Sequence, residues 1–92
     1  AKPDCGVGEL ADWLDMDIST ATRVLRPLRA EGYVTIRPSA TDARRREVRL
    51  TAKGRRTLSK ARPLWQRAQS EVIGELGERR WESLLTLLRA IA

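Results

Sequence analysis

The sequence predicts a mainly α-helical fold with one small β-hairpin, and three observations predict it. Two short amphipathic helices joined by a tight turn occupy residues 7–31, and two alternating runs flank a turn-rich stretch within 33–51. Two apolar stripes at helical spacing then fill the remainder of the chain. At 92 residues and 41% hydrophobic content, the chain has enough apolar side chains for one small domain.

Val7, Leu10, Ala11 and Leu14 recur at one face of a helical repeat, which predicts a first helix over 7–15. Met16 and Asp17 make a tight turn, with Asp17 placed to cap the next helix. That second helix spans 18–31 and stops at Gly32, the residue type best suited to a left-handed C-terminal cap. At about 100° per residue, Ala21, Val24, Leu25 and Leu28 gather on one side. Ser19, Arg23 and Arg26 gather on the other, flanked by Thr20 and Thr22. Pro27 predicts a kink, because it removes a backbone donor and crowds the carbonyl of Arg23.

Residues 33–37 alternate strand-fashion, 38–45 are turn-rich, and 46–51 alternate again. Val34, Ile36, Val48 and Leu50 share one face for burial, while Thr35, Arg37, Glu47 and Arg49 face water. A basic hairpin directly after a helix with an arginine-bearing outer face is the wing of a winged helix-turn-helix. From Thr51, an N-cap, one long helix is expected to about residue 73, with Leu58, Ala61, Trp65, Ala68 and Val72 as its stripe and a bend at Pro63. Gly74 and Gly77 interrupt the pattern, and a last helix runs from 78 to the end with Trp81, Leu84, Leu85, Leu88 and Ile91 on one face and Leu87 beside it. These two helices carry more apolar surface than so small a chain can hide alone, which marks a dimerisation element. The expected organisation is a DNA-binding region over 1–54 and C-terminal dimerisation helices over 55–92, in one compact domain.

Charge points to the partner. Eighteen Lys and Arg stand against twelve Asp and Glu, for a net charge of +6, and fifteen of the cations are Arg. Arg presents a planar fork that grips a phosphate or a guanine edge. A high-GC genome yields the same Arg excess, and most charge stripes are simply solvated faces. The geometry favours more: Arg23 and Arg26 on a helix, with Arg44, Arg45 and Arg46 at the adjacent hairpin tip, form two cationic prongs that suit the two grooves of double-stranded DNA. Ser19 and Thr20 serve equally as first-turn helix residues and as phosphate anchors. Arg44 is the expected groove residue, Arg45 a phosphate contact and Arg46 part of the returning strand. A winged helix used for protein–protein contact or non-specific DNA binding explains the charge, but leaves the Ser, Thr and Arg pattern of the helix as coincidence.

Other classes fall away. The chain has no His, so Ser-His and Cys-His nucleophile arrangements cannot be built, and no Gly-rich phosphate loop occurs among the six glycines. A lone cysteine, Cys5, rules out an intramolecular disulfide and a multi-Cys metal cluster. No enzyme, cofactor or metal site is expected. No apolar run approaches a membrane span and no signal-peptide pattern opens the chain, which leads to the expectation of a cytoplasmic protein. Cys5 invites a redox reading, yet neighbouring Asp4 opposes a lowered thiol pKa, and a small buried residue ahead of the first helix is the structural expectation. Trp13, Trp65 and Trp81 lie on or beside apolar stripes, so core packing is expected for all three, with a pocket for aromatic effectors as the alternative.

Taken in order, Glu9, Leu10 and Ala11, the run STATR at 19–23, LRAEGYV at 28–34, Asp42, Ala43 and Arg44, and LTAKG at 50–54 resemble the multiple-antibiotic-resistance regulator (MarR) family. Pro27 inside the second helix and the RPLW stretch at 62–65 are similar to what several members show. The resemblance covers nearly the whole chain. It implies a winged helix-turn-helix transcription factor that binds a palindromic operator as a homodimer, usually as a repressor. It implies release of DNA when a small aromatic or anionic effector binds, or when a cysteine is oxidised. Carried over, it places Ser19, Thr20, Thr22, Arg23 and Arg26 on the major-groove helix. Asp42 then braces the wing, and Arg44 enters the minor groove. Family members carry further helices before the helix-turn-helix that are absent here; the expectation is either a piece of a longer protein, which the missing initial Met favours, or an unusually short member.

Overall fold

The computed structural model describes residues 5–92. In chain order the elements are β1 (Cys5–Gly6), α1 (Val7–Trp13), α2 (Ile18–Ala30), β2 (Val34–Pro38), β3 (Arg46–Leu50), α3 (Ala52–Leu58), α4 (Arg67–Leu76) and α5 (Glu78–Ile91). The three strands form one antiparallel sheet in the order β1-β3-β2. A winged helix-turn-helix results, mainly helical with a small sheet.

Local chemistry sets the first half. α1 ends in a turn where Asp15 adopts a left-handed φ of 55°, a conformation that Asp tolerates better than most residues. Asp17 then caps α2: its carboxylate accepts from the Thr20 backbone N–H at 2.7 Å. Helix α2 continues through Pro27 and closes on Gly32, at φ 80°. The Tyr33 N–H donates to the Leu28 carbonyl at 2.9 Å and the Gly32 N–H to the Arg29 carbonyl at 3.1 Å, the paired bonds of a Schellman end. That closure delivers Tyr33 directly into β2.

The hairpin follows the expected alternation. Val34 pairs with Leu50 and Ile36 with Val48, and all four are buried. Thr35 is half-buried, while Arg37 and Arg49 are exposed on the other face. β1 is an addition that periodicity did not reveal: Cys5 pairs with Val48 and Gly6 with Glu47, which makes β3 the central strand. Cys5 is buried there, in agreement with the structural expectation.

The second half departs from the sequence reading. The expected single helix from Thr51 to about residue 73 is two helices, with irregular chain over 59–66. Helix α3 already ends at Leu58, ahead of Pro63, so the expected bend is a break, and Gln66, at φ 52°, turns the chain before α4. The gain lies in Trp65, which is fully buried. Its ring meets Tyr33 edge-on at 4.6 Å and Trp81 edge-on at 6.1 Å, and a straight helix could not place it there. Ala61 falls in the broken stretch and is exposed. Trp13 is also a correction, since it is 53% exposed and donates its ring N–H to the Ser83 carbonyl at 2.8 Å, bridging α1 to α5.

Because the chain turns back, α4 packs along α2 and α5 against α4. Ala68, Val72, Trp81, Leu84, Leu85, Leu88 and Ile91 join Leu10, Leu25, Leu28 and Val48 in one continuous core. The premise that the C-terminal helices hold more apolar surface than the chain can hide is therefore corrected: the stripes are covered by the winged helix itself. Gly54, in the first turn of α3, abuts the Tyr33 carbonyl, and its N–H donates to the Thr51 side chain at 3.0 Å.

Two outcomes follow from this packing. A Cβ at position 54 would collide with the Tyr33 carbonyl oxygen and crowd Leu50, so Gly54→Ala should lower unfolding free energy by about 2–3 kcal/mol, measured by urea denaturation. An unchanged midpoint would mean that α3 does not sit against β2. The Thr20 N–H holds the Asp17 carboxyl below its ordinary value, with the Thr20 side chain and Arg23 adding smaller effects. A lowered folded pKa gives stability that is fully present above the unfolded value of about 3.9 and lost as pH falls through the folded value. Asp17→Asn keeps a capping acceptor but not the charge, so its stability should fall less steeply below about pH 4; parallel acid profiles for the two proteins would contradict the charged cap.

Candidate nucleic-acid interface

The buried stripe of α2 turns Ala21, Val24, Leu25 and Leu28 inward, and this sets what faces out. Ser19, Thr22, Arg23 and Arg26 are exposed, and Thr20, whose N–H serves the Asp17 cap, is half-buried. Thr22 donates its hydroxyl to the Ile18 carbonyl at 2.9 Å, which leaves its lone pairs toward solvent. The five helix residues expected from sequence thus share one element and one side of it.

The wing tip is held by its own polar groups and contains no glycine. The Ser39 N–H donates to the Arg45 carbonyl at 2.8 Å, and the Arg45 N–H to the Asp42 carbonyl at 2.9 Å. The Ser39 hydroxyl, on a buried side chain, accepts from the Thr41 N–H at 3.2 Å. Asp42 accepts twice from Arg44 through one oxygen: from the backbone N–H at 3.0 Å and from Nε at 3.3 Å. The first is an Asx turn, which bends the loop without needing a positive φ; the second steers the Arg44 side chain, which stays 92% exposed.

Arg45 behaves differently. Its Nη2 reaches back to Glu9 Oε1 at 3.1 Å, crossing over Gly6, where a Cβ would meet it at 2.9 Å. Arg45 therefore ties the wing to the start of α1, whereas Arg46 opens β3. Arg23 also has a partner, with its Nε 3.6 Å from Glu75 Oε2 on α4. Neither acidic partner is visible in the sequence, since each lies far along the chain from its arginine. Ile18, 59% exposed at the start of α2, was missed too; its sign was an apolar residue lying off the helix stripe.

Two grooves flank α2. On one side Ile18 and Thr22 face Arg44, Arg45 and Arg46 across a cleft floored by Gly6 and Gly8. On the other, Arg23, Arg26, Pro27 and Ala30 face Glu71 and Glu75 of α4. A protruding helix with a cationic wing beside it can enter one groove of a duplex while the wing reaches the next. Among the described residues no group of His, Cys, Asp and Glu is arranged to hold a metal ion, and no helix is long and apolar enough to cross a membrane.

Comparison with known proteins agrees with this geometry. The HTH-type transcriptional regulator BilQ of Clostridium symbiosum is 32% identical over 90 residues, spanning 98% of this chain and 62% of that protein. The chain thus covers under two thirds of the length of this curated relative. The crystal structure of transcriptional regulator PA4135 superposes with a TM-score of 0.57 at 25% identity, over 96% of this chain and 65% of that one. The model of the MarR family matches residues 1–46, half of the chain. With helix, wing and ordered motifs in their places, the chain belongs to the MarR family.

Proposed function

We propose that this chain is the DNA-binding part of a ligand-responsive transcriptional repressor, which reads a palindromic operator as a homodimer. The observation that carries the reading is the braced Arg44 beside an exposed recognition helix: a cation held out by Asp42 on a loop that closes its own hydrogen bonds. Ser19, Thr20, Thr22, Arg23 and Arg26 take the major groove, with Ser19 and Thr20 on phosphates. Arg44 takes the adjacent minor groove, where a narrow A·T-rich segment concentrates negative potential. Arg45 contacts phosphate once the wing closes on the backbone, while its Glu9 pair fixes the wing's angle. Family membership supports repression and response to a small aromatic or anionic effector. A two-fold operator needs a second copy of the chain, and Leu64, exposed in the irregular stretch before α4, with Ile73 and Leu76 of α4 and Leu87 of α5, all half-buried, is left for that contact.

Electrophoretic shifts with genomic fragments, competed by random duplex, test the reading; equal competition by random DNA would favour non-specific binding instead. Arg23→Ala should weaken specific binding by about 1–3 kcal/mol without changing circular dichroism. Arg44→Ala should weaken it too, and lower the slope of log K against log salt by about one. Asp42→Ala should also weaken binding, although it removes a negative charge from the DNA-facing loop; tighter binding would reduce the wing to a cationic brush. Sedimentation of the intact protein should show a homodimer, and a monomer bound at one half-site would defeat that part of the reading.

A further inference from the structure

We propose that Glu75, on α4 and outside the helix-turn-helix, is a positioning residue that decides which edge of Arg23 is offered to a base, and so sets sequence preference at one position of each half-site. The inference rests on the reading of α2 as the DNA-recognition helix.

The geometry is specific to one edge of the guanidinium. Glu75 Oε2 lies 3.6 Å from Arg23 Nε, with the side chains 46% and 57% exposed respectively. An ion pair so open to water contributes little to stability; what it changes is orientation. A guanidinium has a side edge, Nε with one Nη, and an end edge made by both Nη groups. A carboxylate approaching on the Nε side, here as an ion pair too long for a hydrogen bond, draws the side edge toward itself and turns the end edge outward, a pair of parallel donors that matches O6 and N7 of guanine. The rest of the cleft carries charge of both signs. Glu71 lies on the same wall as Glu75, and Arg26 next to Arg23 on the opposite one. Asp17, at the start of α2, is near enough for its carboxyl to respond to Arg23.

The sign of the effect separates positioning from bulk electrostatics. A carboxylate beside the recognition helix repels phosphates, so removing it must favour binding to any duplex. Only a positioning role makes the same removal harm the preferred sequence. The test begins by letting the wild-type chain select duplexes from a randomised pool, and then repeats the selection with Glu75→Gln. The variant should bind unselected duplex at least as tightly as wild type. It should bind the wild-type-selected duplex at least about fivefold more weakly relative to unselected DNA, and its own selection should relax one guanine position per half-site. In an Arg23→Ala background, Glu75→Gln should change the preference no further. If the variant keeps the wild-type preference while binding every duplex more tightly, Glu75 is only a repulsive charge and the inference is overturned. A wild-type chain that selects no sequence at all would instead overturn the DNA-recognition reading on which it stands.

Discussion

The burial of Trp65 is the constraint from which the rest of the architecture follows. Its ring is wedged between Tyr33, at the entry to β2, and Trp81 on α5, so three segments distant in sequence meet at one point. Edge-on aromatic contacts add to the large apolar area that a tryptophan withdraws from water. Meeting that demand breaks the helix ahead of Pro63, reverses the chain through Gln66, and lays α4 along α2. Helix α2 is thereby backed on its inner side by α1 and flanked by α4, so its outer face is presented on a packed support. Tyr33 is fixed from a second direction, with Lys53 above its ring at 4.7 Å and the same ammonium on the Glu31 carbonyl at 2.8 Å, a cation at the negative end of the α2 dipole.

The candidate interface side chains fall into two groups held by different means. Those on α2 inherit their direction from helix geometry alone: once Ala21, Val24, Leu25 and Leu28 are inside, Ser19 and Arg26 must be outside. Those on the wing have no such template, and polar bonding within the loop replaces it. Ser39, Thr41 and Asp42 close the tip, while Arg45 anchors it to Glu9. The elements flanking α2 differ in charge, with three wing arginines on one side and, on the other, two glutamates of α4 set against Arg23 and Arg26. A polyanion approaching the helix meets stronger attraction on the wing side, which biases how it seats.

Features encoded by neighbours in sequence were legible, and those encoded by distant pairs were not. The Asp17 cap, the Gly32 stop and the alternation of β2 with β3 each depend on residues within a few positions, and all appear as read. The Asx bracing of Arg44 spans two residues and agrees with the brace that the family resemblance implied for Asp42. β1 is only two residues long and exists because Val48 offers Cys5 a partner, so no periodicity could announce it. The stripe from Leu58 to Val72 keeps helical spacing across the break, and that spacing is blind to a reversal which serves Trp65. Pro63 marked the place, but whether a proline bends or ends a helix depends on what waits to be buried beyond it. The Glu9 and Glu75 contacts join separate elements, and charge alone did not pair them.

The central position of β3 has a mechanical consequence. Cys5 and Gly6 are bonded to the strand whose other edge carries β2, so the segment entering α1 and the stem of the wing share a single beam. Tension applied along the chain at Cys5 loads the β1–β3 bonds together, in shear, rather than unzipping them one at a time. The load is carried straight into the wing stem, with α1 taking the reaction through Glu9 and Arg45. Displacement at Cys5 and Gly6 is thus passed through β3 to the stem of the wing.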